Sequence, residues 1–170
     1  RFDQGDTGRL SPVTERELVR RFSALAASAD AIIVSDYGYG VLGPRLLEAL
    51  AALQQRAPRV LVVDSRALAT YQAMSPTAVK PNFAEAVRLL GGLDRVTRAD
   101  LDLRSELVAR HGRALLEATG AQIVAVTLDS EGALFFEHGR EPYRTYARAA
   151  EPGRAAGAGD TFGAALALAL

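Results

Sequence analysis

Residues 31–65 read AIIVSDYGYGVLGPRLLEALAALQQRAPRVLVVDS, and this stretch decides the fold. Ala31–Ser35 is a short, β-branched run of the kind that fills a buried strand, and Val60–Val63 is a second, ending at Asp64. Between them Pro44–Leu53 has helical apolar spacing. Its proline stands in the first turn, where a missing amide costs nothing. Two apolar runs separated by a helix make a β-α-β unit, and the strands of such a unit are parallel. The same alternation continues outward. Ala78–Val79 is a short third strand ending at Lys80-Pro81-Asn82, and Phe83–Leu90 is a helix stopped by Gly91-Gly92. Leu103–Thr119 reads as one longer helix closed by Gly120, and Ile123–Leu128 as a strong strand. Ala133–Phe136 and Tyr143–Tyr146 read as an antiparallel pair, and a last helix starts near Gly159. The expectation is an α/β fold: a mostly parallel sheet with right-handed crossovers and helices on both faces, a Rossmann-like three-layer arrangement. Ligands of such sheets bind outside the carboxyl ends of the strands, here Asp36, Asp64, Asn82 and Thr127.

Composition narrows the function classes. The 170 residues are 49% hydrophobic, enough for one substantial core. Twenty basic residues balance twenty acidic ones, so no charge excess draws in nucleic acid or anionic lipid. No apolar run reaches the roughly 18 residues of a membrane span. Cysteine is absent and only His111 and His138 are present, which argues against disulfides, thiolate sites and a histidine cage. Lys80 is the one lysine, a skew that reads as coding bias. Arg1 opens without methionine, and the helical run Thr161–Leu170 has no C-cap glycine or polar stop. The chain is therefore expected to be a single partial domain, residues 1–170, of a longer protein.

Two glycine-rich segments compete for a nucleotide. Gly38-Tyr39-Gly40-Val41-Leu42-Gly43 fits GxGxxG after a strand and before a helix, and Asp64 follows at the distance of a ribose-binding acid. On that reading the chain is an NAD(P)-binding oxidoreductase domain. Against it, Ser35-Asp36-Tyr37 separates the strand from the first glycine, and Asp36 brings negative charge near the pyrophosphate. The other reading is a turn whose glycines serve backbone geometry. Gly157-Ala158-Gly159-Asp160-Thr161-Phe162 precedes an apolar helix. Its small residues let a phosphate approach the first-turn amides and the positive end of the helix dipole. Asp160 there can cap the helix, or it can take the proton of an attacking hydroxyl.

GAGDTF resembles the second signature of the ribokinase-like (PfkB) carbohydrate kinases. The resemblance implies that Asp160 is the catalytic base and that Gly157, Ala158 and Gly159 form the anion hole. Lys80-Pro81-Asn82-Phe83-Ala84-Glu85 resembles the family's PNxxE block, which implies that Asn82 and Glu85 lie near a Mg²⁺–phosphate cluster. The plain alternative is a capping box between Asn82 and Glu85. Thr127-Leu128-Asp129-Ser130-Glu131-Gly132 resembles the TLGxxG segment beside the nucleotide, with Asp129 in place of the usual glycine; Thr127, Asp129 and Gly132 are the implied nucleotide contacts. Arg154-Ala155-Ala156 stands where the family often has Asp-Thr-Thr, so a monovalent cation is not implied.

Arg1-Phe2-Asp3, Leu10-Ser11, Val34-Ser35-Asp36-Tyr37, Gly40-Val41-Leu42 and Val63-Asp64 occur in the order seen in the kinase domain of ADP-heptose synthesis enzymes. This implies ATP-dependent phosphorylation of a sugar or sugar phosphate, specifically D-glycero-D-manno-heptose 7-phosphate at its anomeric hydroxyl. Arg1, Asp3 and Asp36 are the implied substrate contacts. Tyr39 replaces a lysine usual in SDYxKG. With Asp129 and Arg154 it keeps open a non-catalytic nucleotide-binding relative. The resemblance further implies ATP and Mg²⁺ as co-substrate and metal, a cytoplasmic location and room for a homodimer in the whole protein. It also implies that the family's N-terminal strands and lid lie outside these residues, leaving the C-terminal nucleotide-binding part with little activity alone.

Overall fold

The computed structural model describes residues 8–91, 103–147 and 157–170. Six strands form one sheet in the sequential order β1 to β6: β1 Ala31–Asp36, β2 Val60–Ser65, β3 Ala78–Val79, β4 Ile123–Thr127, β5 Ala133–Glu137 and β6 Tyr143–Thr145. The first four are parallel, and β5 and β6 are antiparallel. The helices are α1 Pro12–Ala26, α2 Pro44–Arg56, α3 Phe83–Leu89, α4 Arg104–Arg110, α5 Gly112–Thr119 and α6 Ala158–Ala169, with a 3₁₀ segment at Leu68–Met74.

Strand order explains the layers. Four parallel strands laid side by side in chain order place right-handed crossovers on one face. That face carries the main core. Val34, Leu61, Val63, Val124 and Val126 from the strands meet Leu50 of α2, Leu68 and Tyr71 of the 3₁₀ segment, Ala86 of α3, Val108 of α4 and Leu115 of α5. The alternate residues point to the opposite face. There Val62 and Ala78 pack against Ala167 of α6, with Val60, Ile123 and Leu166 around them. Phe162 of α6 stacks on Phe135 of β5, with centroids 5.9 Å apart.

Three elements differ from expectation. The single helix Leu103–Thr119 is two helices meeting at His111, whose φ of −112° and ψ of 12° leave the helical region. The break lets Gly112 press against the Phe136 ring, where a β-carbon would collide. Helix α1 and the 3₁₀ segment were not expected. Ser11 caps α1 by accepting the Thr14 amide at 3.1 Å, but Ala26 is the helix's one fully buried residue, so its apolar stripe is faint.

Candidate active site

The carboxyl ends of β1, β2 and β3 converge on the start of α6. Gly157, the N-cap, has φ +80°, a conformation that glycine adopts without the strain of a side chain. The Thr161 amide donates to the Gly157 carbonyl at 2.9 Å and its hydroxyl donates to the same oxygen at 3.0 Å. The amides of Ala158, Gly159 and Asp160 come before that bond, in the turn that lacks intrahelical partners. Among the described residues Asp160 makes no capping hydrogen bond; its Oδ1 instead accepts the Tyr37 hydroxyl at 2.6 Å. The capping reading of Asp160 is therefore not what its side chain does here.

Strand alternation puts Asp64 of β2 and Lys80, just after β3, on the α6 face with Val62 and Ala78. Lys80 Nζ lies 2.8 Å from Asp64 Oδ2, and the lysine side chain is 7% exposed. The same ammonium would lie 3.4 Å from a β-carbon on Gly159. A buried cation thus sits against the glycine-rich turn. As the one lysine, directly preceding Pro81-Asn82, Lys80 carries a sequence signal for this site that reads from composition alone as coding bias.

Asn82 follows β3, bridges Thr127 at the end of β4, and starts α3. The capping box is real: Asn82 Oδ1 accepts the Glu85 amide and Glu85 Oε2 accepts the Asn82 amide, both at 2.9 Å. Glu85 Oε1 lies 3.9 Å from the Arg88 guanidinium. Among the described residues no cluster of three acidic or histidine side chains could enclose a metal. The donors here are hard oxygens, which suits a magnesium ion held mainly by phosphate and water, with Glu85 Oε1 nearby.

Asp129 has φ +53°, the left-handed geometry that favours the glycine usual in the resembling segment. The substitution keeps the glycine-like backbone, and the carboxylate accepts from Arg104 Nη1 at 3.1 Å. Arg104 also bonds Glu131 and lies over the Phe83 ring; hydrogen bonding to Glu131, chiefly, raises its pKa. Gly132 has φ +92°, and a β-carbon there would collide with the Thr145 backbone.

Asp36 lies at the end of β1 but faces the other way. Its Oδ2 accepts from Ser65 Oγ and Tyr71 Oη, each at 3.0 Å, and its Oδ1 accepts the Gly38 amide at 2.9 Å. Arg1, Asp3 and Arg154 lie outside the described residues. The Gly38–Gly43 loop does not present an open phosphate site at α2. Glu15 presses its carboxylate against Gly43 and accepts the Arg45 amide at 3.2 Å, filling that helix start.

A family profile described as pfkB family carbohydrate kinase matches residues 6–170. The bifunctional protein HldE of Desulfatibacillum aliphaticivorans is 32% identical over the whole of this chain, which covers 33% of that protein. HldE of Geobacter sulfurreducens is 31% identical, again over 100% of this chain and 33% of its own. The chain thus spans about a third of the length of the curated relatives it matches. Among solved structures, phosphofructokinase-2 of Escherichia coli superposes with a TM-score of 0.70 at 23% identity, over 95% of this chain and 51% of that one. Ribokinase of Thermotoga maritima gives 0.57 at 18% identity, over 86% and 45%. These two likenesses show the ribokinase-like fold.

Proposed function

This chain belongs to the pfkB family of carbohydrate kinases, and from that premise we propose that it carries the nucleotide-binding part and the base of an ATP-dependent sugar kinase. The observation that supports this best is the Asp160 carboxylate. It stands in the first turn of α6, bonded to Tyr37, in a glycine-rich turn whose Gly159 lies against the Lys80 cation.

In the proposed reaction the sugar hydroxyl attacks the γ-phosphorus of ATP, its proton passes to Asp160, and the bond from phosphorus to the bridging oxygen breaks to release ADP. The amides of Gly157, Ala158 and Gly159 face the phosphoryl oxygens, where fixed dipoles stabilise charge without reorganising. A loose transition state asks little basicity of the carboxylate, so placement matters most. Thr127, Asp129 and Gly132 line the nucleotide side. Asn82 and Glu85 would hold a Mg²⁺ ion through water, and the ion would supply charge neutralisation of the phosphates. Asp36 is assigned to the loop after β1 rather than to direct sugar contact, because its three hydrogen bonds are internal.

The likeness to the HldE proteins supports a heptose as the acceptor, and the order of the Arg1–Asp64 motifs proposes heptose 7-phosphate with its anomeric hydroxyl as the nucleophile. Because the chain covers a third of those proteins, turnover is assigned to the whole protein, and residues 1–170 alone should be nearly inactive. The test is ATP consumption by the whole protein with D-glycero-D-manno-heptose 7-phosphate and with other sugar phosphates. Formation of ADP and the 1,7-bisphosphate supports the full reading. Turnover of a different sugar alone removes the heptose part, and no ATP-dependent transfer to any sugar removes the kinase reading.

A further inference from the structure

We propose that Tyr37 is a positioning residue for Asp160, held in place by Asp36; this deepens the proposed function and rests on the base role of Asp160. The two side chains are 123 residues apart in sequence, yet the Tyr37 hydroxyl donates to Asp160 Oδ1 at 2.6 Å. One carboxylate oxygen is thereby fixed, and Oδ2 is left to receive the proton of the sugar.

The pleat of β1 explains how neighbouring residues reach opposite sides of the sheet. Asp36 points to the main-core face, where it meets Ser65 and Tyr71. The next residue, Tyr37, points to the α6 face. Asp36 Oδ1 also accepts the amide of Gly38, two residues on, which closes an Asx turn around Tyr37. Gly38 follows with φ +76°, a left-handed conformation that glycine adopts without strain. The direction of the Tyr37 side chain is thus set from both flanks.

The anchor is well protected. Tyr71 is 1% exposed. Burial, then the negative charge of Asp36, pushes its pKa up, so it stays a donor to Asp36 across the working pH range. A strut therefore runs from the buried 3₁₀ segment through Asp36 and Tyr37 to the carboxylate on α6. The arrangement suits a helix whose first turn has no side-chain cap of its own to orient the base.

A double-mutant cycle in the whole protein tests the strut, using Tyr37→Phe, Asp160→Asn and the pair. Tyr37→Phe removes only the hydroxyl and keeps the ring that stacks on Tyr39 at 6.5 Å, so the loop should fold. Expected results are a kcat about 10-fold lower for Tyr37→Phe, a KM for ATP within about twofold, and an unchanged Tm. The double variant should match Asp160→Asn within about twofold, because a residue that acts through the base has nothing left to position. A Tyr37→Phe enzyme at wild-type kcat, or losses that multiply in the double variant, would overturn the proposal. So would a fall in Tm large enough to account for the lost rate. Asp160→Asn at wild-type rate would instead remove the base role itself.

Discussion

The two faces of the sheet are built differently. On one, α2, the 3₁₀ segment, α3, α4 and α5 bury a continuous core of leucine, valine and tyrosine. On the other, α6 covers β1 and β2 through a small cluster in which Val62, Ala78 and Ala167 are the fully buried members. The charged groups Asp160, Lys80 and Asp64 gather on the lighter face. Stability and the proposed chemistry are thus divided: one face holds the sheet, and the other carries the helix start proposed to meet the phosphate.

Four changes of decreasing effect probe that division. Asp160→Asn in the whole protein should lower kcat by about 10²–10⁴, or roughly 3–5 kcal/mol of barrier, with Tm shifted little. A loss of Tm matching the loss of rate would show that α6 is structural after all. On the heavy face, Leu115→Ala removes a side chain with 0% exposure and should destabilise by about 2–5 kcal/mol in urea unfolding. A cost under 1 kcal/mol would mean that this face is not the main store of stability. Lys80→Met strips Asp64 of its partner and should cost about 1–3 kcal/mol, less than for a fully buried pair because Asp64 is 23% exposed. Adding Asp64→Leu should recover part of that stability, and failure to recover would place the value of Lys80 in packing alone. Ala167→Gly, in the last turn of α6, should cost about 1 kcal/mol or less in urea unfolding, from the helix-propensity difference and the lost packing on Val62 and Ala78; a cost above about 2 kcal/mol would make the lighter face a main store of stability.

The heavy face also has a pH signature. The folded-state pKa of Tyr71 is raised by burial and by the Asp36 charge. The folded protein therefore holds that proton more tightly than the unfolded chain, in which tyrosine ionises near pH ~10. The contribution is complete below that pH and is lost as pH rises through the folded value. Tyr71→Phe should flatten the alkaline decline measured by urea unfolding at stepped pH; an unchanged slope would assign the decline to other groups.

Much of this was legible beforehand. The buried runs at Ala31, Val60 and Ile123 and the helix between the first two are local patterns that a chain can satisfy only as a parallel sheet. The capping box of Asn82 and Glu85 needs residues three apart, so its spacing was enough to find it. Helix α1 escaped because its stripe is mostly exposed, and the 3₁₀ segment because seven residues give no period to read. The break at His111 brings Gly112 against Phe136, which lies on β5 and leaves no mark on the sequence of α4 and α5.

By itself, then, the sequence determined the alternation of strands and helices, the glycine-rich start of α6 and the acid within it, because each rests on neighbours along the chain. Only the tertiary structure decided what that acid touches. Tyr37 meets Asp160, Asp64 meets Lys80, and Lys80 reaches Gly159 because strand pairing and the return of α6 bring distant segments to one sheet edge. The same folding turned Asp36 to the main-core face, away from α6. The pleat assigns alternate residues to opposite faces, but which face receives α6 is fixed only when the helix packs.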